Sequence, residues 1–296
     1  MPDPVRIAVL LTCFNRRDKT LSALRALTCQ RGVGTEFVLS VFLVDDGSTD
    51  KTGDAVRAAH PEVTVIEGTG SLFWNGGMRL AFDHAQKTAP DYALWLNDDT
   101  DLDEDAILRL LDTSRSLAAE GQSATLVMGA TRDPSTGAFT YGGFDRRPGP
   151  VLRLKAVGPK TDRPRPVSTT AGNCVLVSAG AMDRIGNLEP AFYHAWGDVD
   201  YGLRLRAAGG SVWLAPGYVA SCDPNPGAQK WQDAPDLTLA ERFANLNSFR
   251  GLYPPDWRLF TRRHGGVLWP ITWAIPYVKL ILRHVRFRFT HKAPGR

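Results

Sequence analysis

The sequence predicts an α/β fold: a doubly wound, mainly parallel sheet flanked by helices, followed by a C-terminal helical extension. Short apolar runs at 5–11, 37–44, 63–66 and 92–96 alternate with helix-patterned segments at the spacing of βαβ units. Polar clusters follow Leu11, Val44 and Leu96, and such sheets bind ligands beyond the carboxyl ends of their strands. The extension is set apart by charge. Asp256 is the last acid, and nine Lys or Arg then follow within 257–296, leaving residues 1–256 at about −5.

Each element has a local reason. The run 5–11 is a buried strand, with a helix to about Gln30. The run 37–44 is the second strand, followed by a short helix to about His60. After the strand at 63–66, Asn75 is expected to cap a helix running to Lys87. Leu126–Ala130 reads as a strand, and the Gly-, Pro- and Arg-rich stretch 131–168 as hairpins and loops. Residues 171–177 are apolar again. Ser178 caps a short helix stopped by Gly186, and another helix spans about 198–208. Residues 212–214 and 219–220 read as two short strands. Pro224-Asn225-Pro226-Gly227 marks a boundary, and Thr238-x-x-Glu241 is a capping box for a helix to about Leu252.

The 296 residues suit one large domain or two small ones. Cys13, Cys29, Cys174 and Cys222 form no C-x-x-C pair, so neither a zinc site nor a disulfide framework is expected. Met1-Pro2-Asp3-Pro4 lacks the basic-then-apolar order of an export signal, and a cytoplasmic protein is expected.

Leu94-Trp95-Leu96-Asn97-Asp98-Asp99 carries the sharpest chemistry. Adjacent carboxylates repel, so two at a strand end call for a cation, and a hard divalent ion bridging to phosphate oxygens fits. Alternatively, Asp101 or Asp103 caps the helix near Asp105 and the other acids are solvated. Asp45-Asp46-Gly47-Ser48 opens a helix with acids able to accept from a base N–H or a ribose hydroxyl; a tight turn explains only Gly47 and Ser48. Asn75-Gly76-Gly77-Met78-Arg79 offers glycines at a helix start, where anions are favoured, with Arg79 as an added cation. Trp196-Gly197-Asp198-Val199-Asp200 places acids beside aromatics: a general base in a cleft, or a helix cap.

In order, Leu11-Thr12-Cys13-Phe14-Asn15, Asp45-Asp46-Gly47-Ser48, Asn97-Asp98-Asp99 and Gly197-Asp198-Val199-Asp200-Tyr201 resemble the family 2 glycosyltransferases with a GT-A fold. Within that family the chain is most similar to rhamnosyltransferase-like bacterial polysaccharide enzymes, over about residues 5–222. The resemblance implies a nucleotide-diphosphate sugar donor, Mg²⁺ or Mn²⁺, and inversion at the anomeric carbon. It places Thr12 and Phe14 at the base, with Asp46 accepting from its N3–H; Asn15, Asn75, Gly76 and Arg79 are expected on the donor side. Asp99 would be the direct metal ligand and Asp98 would lie nearer the ribose or the metal's water shell. Asp198 would be the catalytic base, with Gly172, Asn173, Trp196 and Asp200 toward the acceptor. It further implies a GT-A catalytic domain over 1–225, its nucleotide-binding half ending near 110, and a basic helical extension over 226–296. Two positions depart from the pattern. Gly197 stands where Glu is frequent, and Ser221-Cys222-Asp223 replaces a late His, leaving Asp223 as a substitute oxygen ligand.

Other classes fit less well. A sugar-phosphate nucleotidyltransferase needs a Gly-rich loop after its first strand, and Thr12–Arg17 contains no glycine. A catalytically silent nucleotide-sugar or lipid-binding module stays open. Residues 267–278 are uncharged and carry Trp269, Trp273 and Tyr277, with Lys279, Arg283, Arg286 and Arg288 beyond. Twelve residues are too few to span a bilayer, and Pro270 and Pro276 disfavour a continuous spanning helix. Tryptophans beside basic residues suit an interfacial helix on an anionic leaflet, or a core-docked helix with a basic face. The acceptor is expected to be a glycan, a lipid-linked sugar or a small molecule. No nucleic-acid motif accompanies the basic residues, so no nucleic-acid partner is expected.

Overall fold

The computed structural model describes residues 3–224, 234, 237–249 and 251–290. Its first half runs β1 (Val5–Cys13), α1 (Arg17–Thr28), β2 (Phe37–Asp45), α2 (Thr52–Ala59), β3 (Thr64–Glu67), α3 (Phe73–Ala85), β4 (Tyr92–Leu96), β5 (Thr100–Leu102), α4 (Ala106–Ala119) and β6 (Thr125–Arg132). It continues through β7 (Gly143–Arg146), β8 (Leu154–Val157), β9 (Arg165–Pro166), β10 (Thr169–Thr170), β11 (Cys174–Ser178), α5 (Ala179–Ile185), α6 (Gly197–Ala207) and β12 (Ser211–Cys222). Three helices close it: α7 (Leu239–Leu246), α8 (Pro254–His264) and α9 (Trp269–Thr290).

The main sheet has the order β3-β2-β1-β4-β11-β6-β12-β5, with β9 also on β12. The first four strands are parallel, as expected, and β11 enters antiparallel to both β4 and β6. Successive side chains of a strand face opposite sides, so β1 splits between two cores. Ile7, Val9 and Leu11 join Leu24, Leu27, Ile107 and Leu110 on one face. Ala8 and Leu10 join Met78, Phe82, Met182 and Leu205 on the other. Burial on both faces is why these strands are near-continuous apolar runs rather than alternating ones.

One register decides the site. Leu96 pairs with Cys174 in the antiparallel β4–β11 ladder, so the residues just after β4 lie beside those just before β11. Cys222 pairs with Thr100, which brings the end of β12 to the same edge.

Several boundaries differ from expectation. Residues 211–222 are one strand, accommodated by register shifts around Tyr218 instead of a break. The Thr238–Glu241 capping box is present, but its helix stops at Leu246. Asn75 lies inside α3, whose N-cap is Leu72, and caps nothing. Asp103 binds Arg132 through its carboxylate and Asp101 lies on β5, so neither side chain caps α4. The 224–227 boundary lies outside the described residues past Pro224. The extension does not stand apart: Trp257 and Phe260 of α8 share a core with Leu152, Phe192 and Val199. The long helix α9 contains Pro276, and no helix among the described residues is long and apolar enough to cross a membrane.

Candidate active site

The turn after β4 carries Asp98 and Asp99, and the cation beside them is a side chain. Arg16 Nη1 lies 3.2 Å from Asp98 Oδ1 and 2.7 Å from Asp99 Oδ2. One guanidinium for two acids leaves an excess of negative charge. Asp98 is 6 % exposed, and burial pushes its carboxyl up to about 7, with the Asp99 charge adding to the shift and Arg16 opposing it. Asp99 Oδ1 accepts from the Cys222 thiol at 3.7 Å. Burial, reinforced by the Asp99 charge, pushes that thiol up to about 12, so it stays protonated and can donate to Asp99. Asp223, the substitute expected for a late His, is ion-paired to Lys19 at 2.9 Å.

These residues can be tested against a divalent ion. Among the described residues no group of three or more His, Cys, Asp or Glu is arranged to hold one. Two hard carboxylates in charge excess do fit Mg²⁺ or Mn²⁺ whose shell is completed by other oxygens. Asp99 and Asp98 would be the residues to hold it, and Arg16 is paired with an oxygen of each.

Asp198 is the second residue of α6 and keeps part of its surface open. The N-cap is Trp196 and makes no side-chain cap, so the capping role considered for Asp198 is not its role. Its Oδ2 accepts from Gly172 N at 2.7 Å and its Oδ1 from Val199 N at 2.8 Å. Burial pushes its carboxyl up to about 6, while those two N–H groups hold it down.

The two acid groups meet at a dipeptide. Gly172 donates to Asp198, and the next residue, Asn173, accepts through its carbonyl from Asn97 N at 3.0 Å. Trp74 closes the span, donating from Nε1 to Asn97 Oδ1 at 2.8 Å. A Cβ on Gly172 would overlap the Trp74 ring and lie 3.3 Å from the Asp198 Cβ, so only glycine fits there. Nothing in the local sequence singles out Trp74.

Other expected site residues are already engaged. Asp46 accepts from Gly70 N, Leu72 N and Phe73 N at 2.8–2.9 Å, so the anion at the start of α3 is this carboxylate and not a bound phosphate. Asn75 is fully buried and donates to the carbonyls of Glu189 and Phe192, which removes it from the donor side. Arg79 donates to the Leu188 carbonyl, and Gly76 packs on Leu72. Asn15, at φ 51°, accepts from Thr49 N and Asp50 N, so it clamps two loops and sets up Arg16. Thr12 lies against Gly77, and Phe14 stands 53 % exposed. Asp200 is wholly buried. Despite that burial, His264, Arg204 and Arg263 hold it below the usual carboxylate range, so it anchors α6 and cannot meet an acceptor. Trp196 packs against both Trp257 and Phe260, with centroids 5.0 and 4.6 Å away. Gly197 is explained sterically, since a Cβ there would overlap Asn75 Oδ1. One residue unforeseen in the sequence is Asp256, which is buried and accepts from the N–H groups of Tyr193, His194 and Ala195.

The family model for Glycosyl transferase family 2 matches residues 8–150. Just under half of the chain is thus similar to that family. That match includes Asp98 and Asp99 and stops before Gly172 and Asp198. Over 217 residues the chain is 26 % identical to the N-acetylglucosaminyl-diphospho-decaprenol L-rhamnosyltransferases of two Mycobacterium tuberculosis strains, covering 64 % of this chain and 67 % of each relative. Among solved structures it is similar to the mannosyltransferase PcManGT from Pyrobaculum calidifontis in complex with GDP-Man and Mn²⁺. The TM-score is 0.57 at 16 % identity, over 100 % of this chain and 77 % of that one. It is also similar to S. aureus TarS 1–349, with TM-score 0.54 at 11 % identity, over 97 % and 73 %. The fold is thus of the GT-A type.

Proposed function

We propose that the protein is an inverting glycosyltransferase that moves a hexosyl or deoxyhexosyl group from a nucleotide-diphosphate sugar to an acceptor hydroxyl. One observation carries this reading: Gly172-Asn173 ties the acid pair at β4 to Asp198 across a single dipeptide. Inverting transfer needs charge neutralisation at the leaving diphosphate and a base on the opposite side of the sugar. Asp198 supplies the base. It takes the hydroxyl proton as the acceptor oxygen bonds to the anomeric carbon, and the bond from that carbon to the diphosphate breaks with its electron pair leaving on phosphate. Its carboxyl, pushed up to about 6, is basic enough to accept a proton and still ionised near neutrality. A divalent ion held by Asp99 with Asp98 would supply Lewis-acid neutralisation of the leaving group. Arg16 orients the acid pair, and Trp74 holds Asn97 at the turn.

The acceptor class that best suits the C-terminal half is a lipid-linked glycan in polysaccharide assembly, with the protein peripheral on the inner face of the cell membrane through 267–290. The exposed Ile271, Val278, Leu282 and Val285 recur on one face of α9, beside basic residues. The test is Asp198→Asn. Transfer should fall by about 10²–10⁴-fold, the range for a general base, with donor affinity within a few-fold. Unchanged turnover would remove Asp198 from the reaction.

A further inference from the structure

We infer that the groove between the β7–β8 hairpin and α9 binds the phosphate-bearing end and first chain segment of a lipid, namely the acceptor lipid of the proposed transfer. The inference rests on that reading and adds a place for the substrate. The groove encloses about 910 Å³, within the ~300–1,000 Å³ range of small-molecule clefts. Its polar lining is cationic. Arg147 and Arg153 from the hairpin turn, Lys155 from β8 and Lys279 from α9 converge on it, and no acid lines it. None of these four has an ion-pair partner among the described residues. Asp145, which faces Lys155 across the hairpin ladder, is bound to Arg165 at 2.7 Å.

The opposite wall is aliphatic. Ile271, Ile275 and Val278 of α9 face Leu152, and Trp257 forms part of the lining. Three hairpin cations facing a helix that offers alkyl side chains and Lys279 match a molecule with a phosphate or diphosphate head and a hydrocarbon tail. A free anion would leave the apolar wall wet, and a neutral alkane would leave four cations unanswered.

Position argues for an acceptor and not a structural lipid. Trp257 packs 5.0 Å from Trp196, and Trp196 precedes Gly197-Asp198. A head group at the hairpin therefore lies one aromatic contact from the start of the helix that carries the proposed base. The tail would leave along α9, whose exposed apolar stripe at Ile271, Val278, Leu282 and Val285 continues in that direction.

The test titrates the full chain with farnesyl diphosphate, a soluble prenyl diphosphate, and follows tryptophan fluorescence and calorimetry. Parallel titrations use pyrophosphate, farnesol, and phosphatidylglycerol vesicles. Farnesyl diphosphate should bind at least tenfold more tightly than pyrophosphate or farnesol. The surface variant Arg153→Glu with Lys155→Glu should weaken it at least tenfold without lowering the thermal midpoint or the donor-induced shift in that midpoint. Wild-type affinity in the variant would overturn the site. So would equal binding of pyrophosphate, or binding to vesicles alone, which would mark a bilayer-facing surface. A wild-type chain that takes farnesyl diphosphate but shows neither donor binding nor donor hydrolysis would instead defeat the transferase reading and leave the groove standing.

Discussion

The acid pair after β2 and the acid pair after β4 look alike in sequence, yet the fold treats them oppositely. Asp45 accepts from Ser48 N and Gly53 N, and Asp46 from three backbone N–H groups. These carboxylates are neutralised by backbone dipoles and hold loops together. Asp98 and Asp99 receive one shared guanidinium and a weak thiol donor. The same division separates Asp200, ringed by two arginines and a histidine, from Asp198, which meets only two N–H groups. Donor number sets Asp46 and Asp200 apart with three partners each, whereas Asp45 and Asp198 each accept from two N–H groups and differ in what surrounds them.

Removing a structural acid would break the comparison most visibly. Asp46→Ala strips the partner from three backbone N–H groups, each costing about 1–3 kcal/mol when left unsatisfied. A loss of about 3 kcal/mol or more is expected in urea unfolding. A variant as stable as the parent but unable to bind donor would return Asp46 to base recognition. Acid should act on the other class. Asp198 must be ionised to accept a proton, and burial lifts its carboxyl to about 6. Turnover at saturating donor and metal should therefore plateau above about pH 6 and fall roughly tenfold per unit below it. A flat profile down to about pH 5 would argue that a different group takes the proton. The smallest effect sharpens the role of Arg16. With Arg16→Gln the acid pair loses its internal cation, and Mn²⁺ binding to donor-free protein, read by electron paramagnetic resonance, should tighten a few-fold. Equal or weaker Mn²⁺ binding would show that the arginine does not compete for those oxygens.

Much of the fold is legible because its strands are buried on both faces. The runs at 7–11 and 93–96 have no polar interruption, so their positions follow from hydrophobicity alone. Helix α8 is less visible, since Pro254-Pro255 reads as a break although proline is tolerated in a first helical turn. Pro216-Gly217 likewise suggests two strands where one bulged strand runs through. At the site, Asp98, Asp99 and Asp198 stand out as acids at element ends. Arg16 and Asp256 do not, because each acts on partners about sixty or more positions away. Asn75 and Asp200 mislead for the converse reason. They sit in the right motifs, and only the packed structure reveals that the Asn75 amide nitrogen and the Asp200 carboxylate are spent inside it.

The bond between Asp256 and the three N–H groups at 193–195 has a consequence for how the molecule comes into being. A nascent chain can build β1 through β12 while the residues of α8 are still inside the ribosome. Asn75 and Arg79 already hold the carbonyls of 188–192, but the N–H groups of 193–195 have no carboxylate partner until Asp256 emerges. The half that carries Asp98 and Asp99 can thus mature before the segment leading into the Asp198 helix takes its final form.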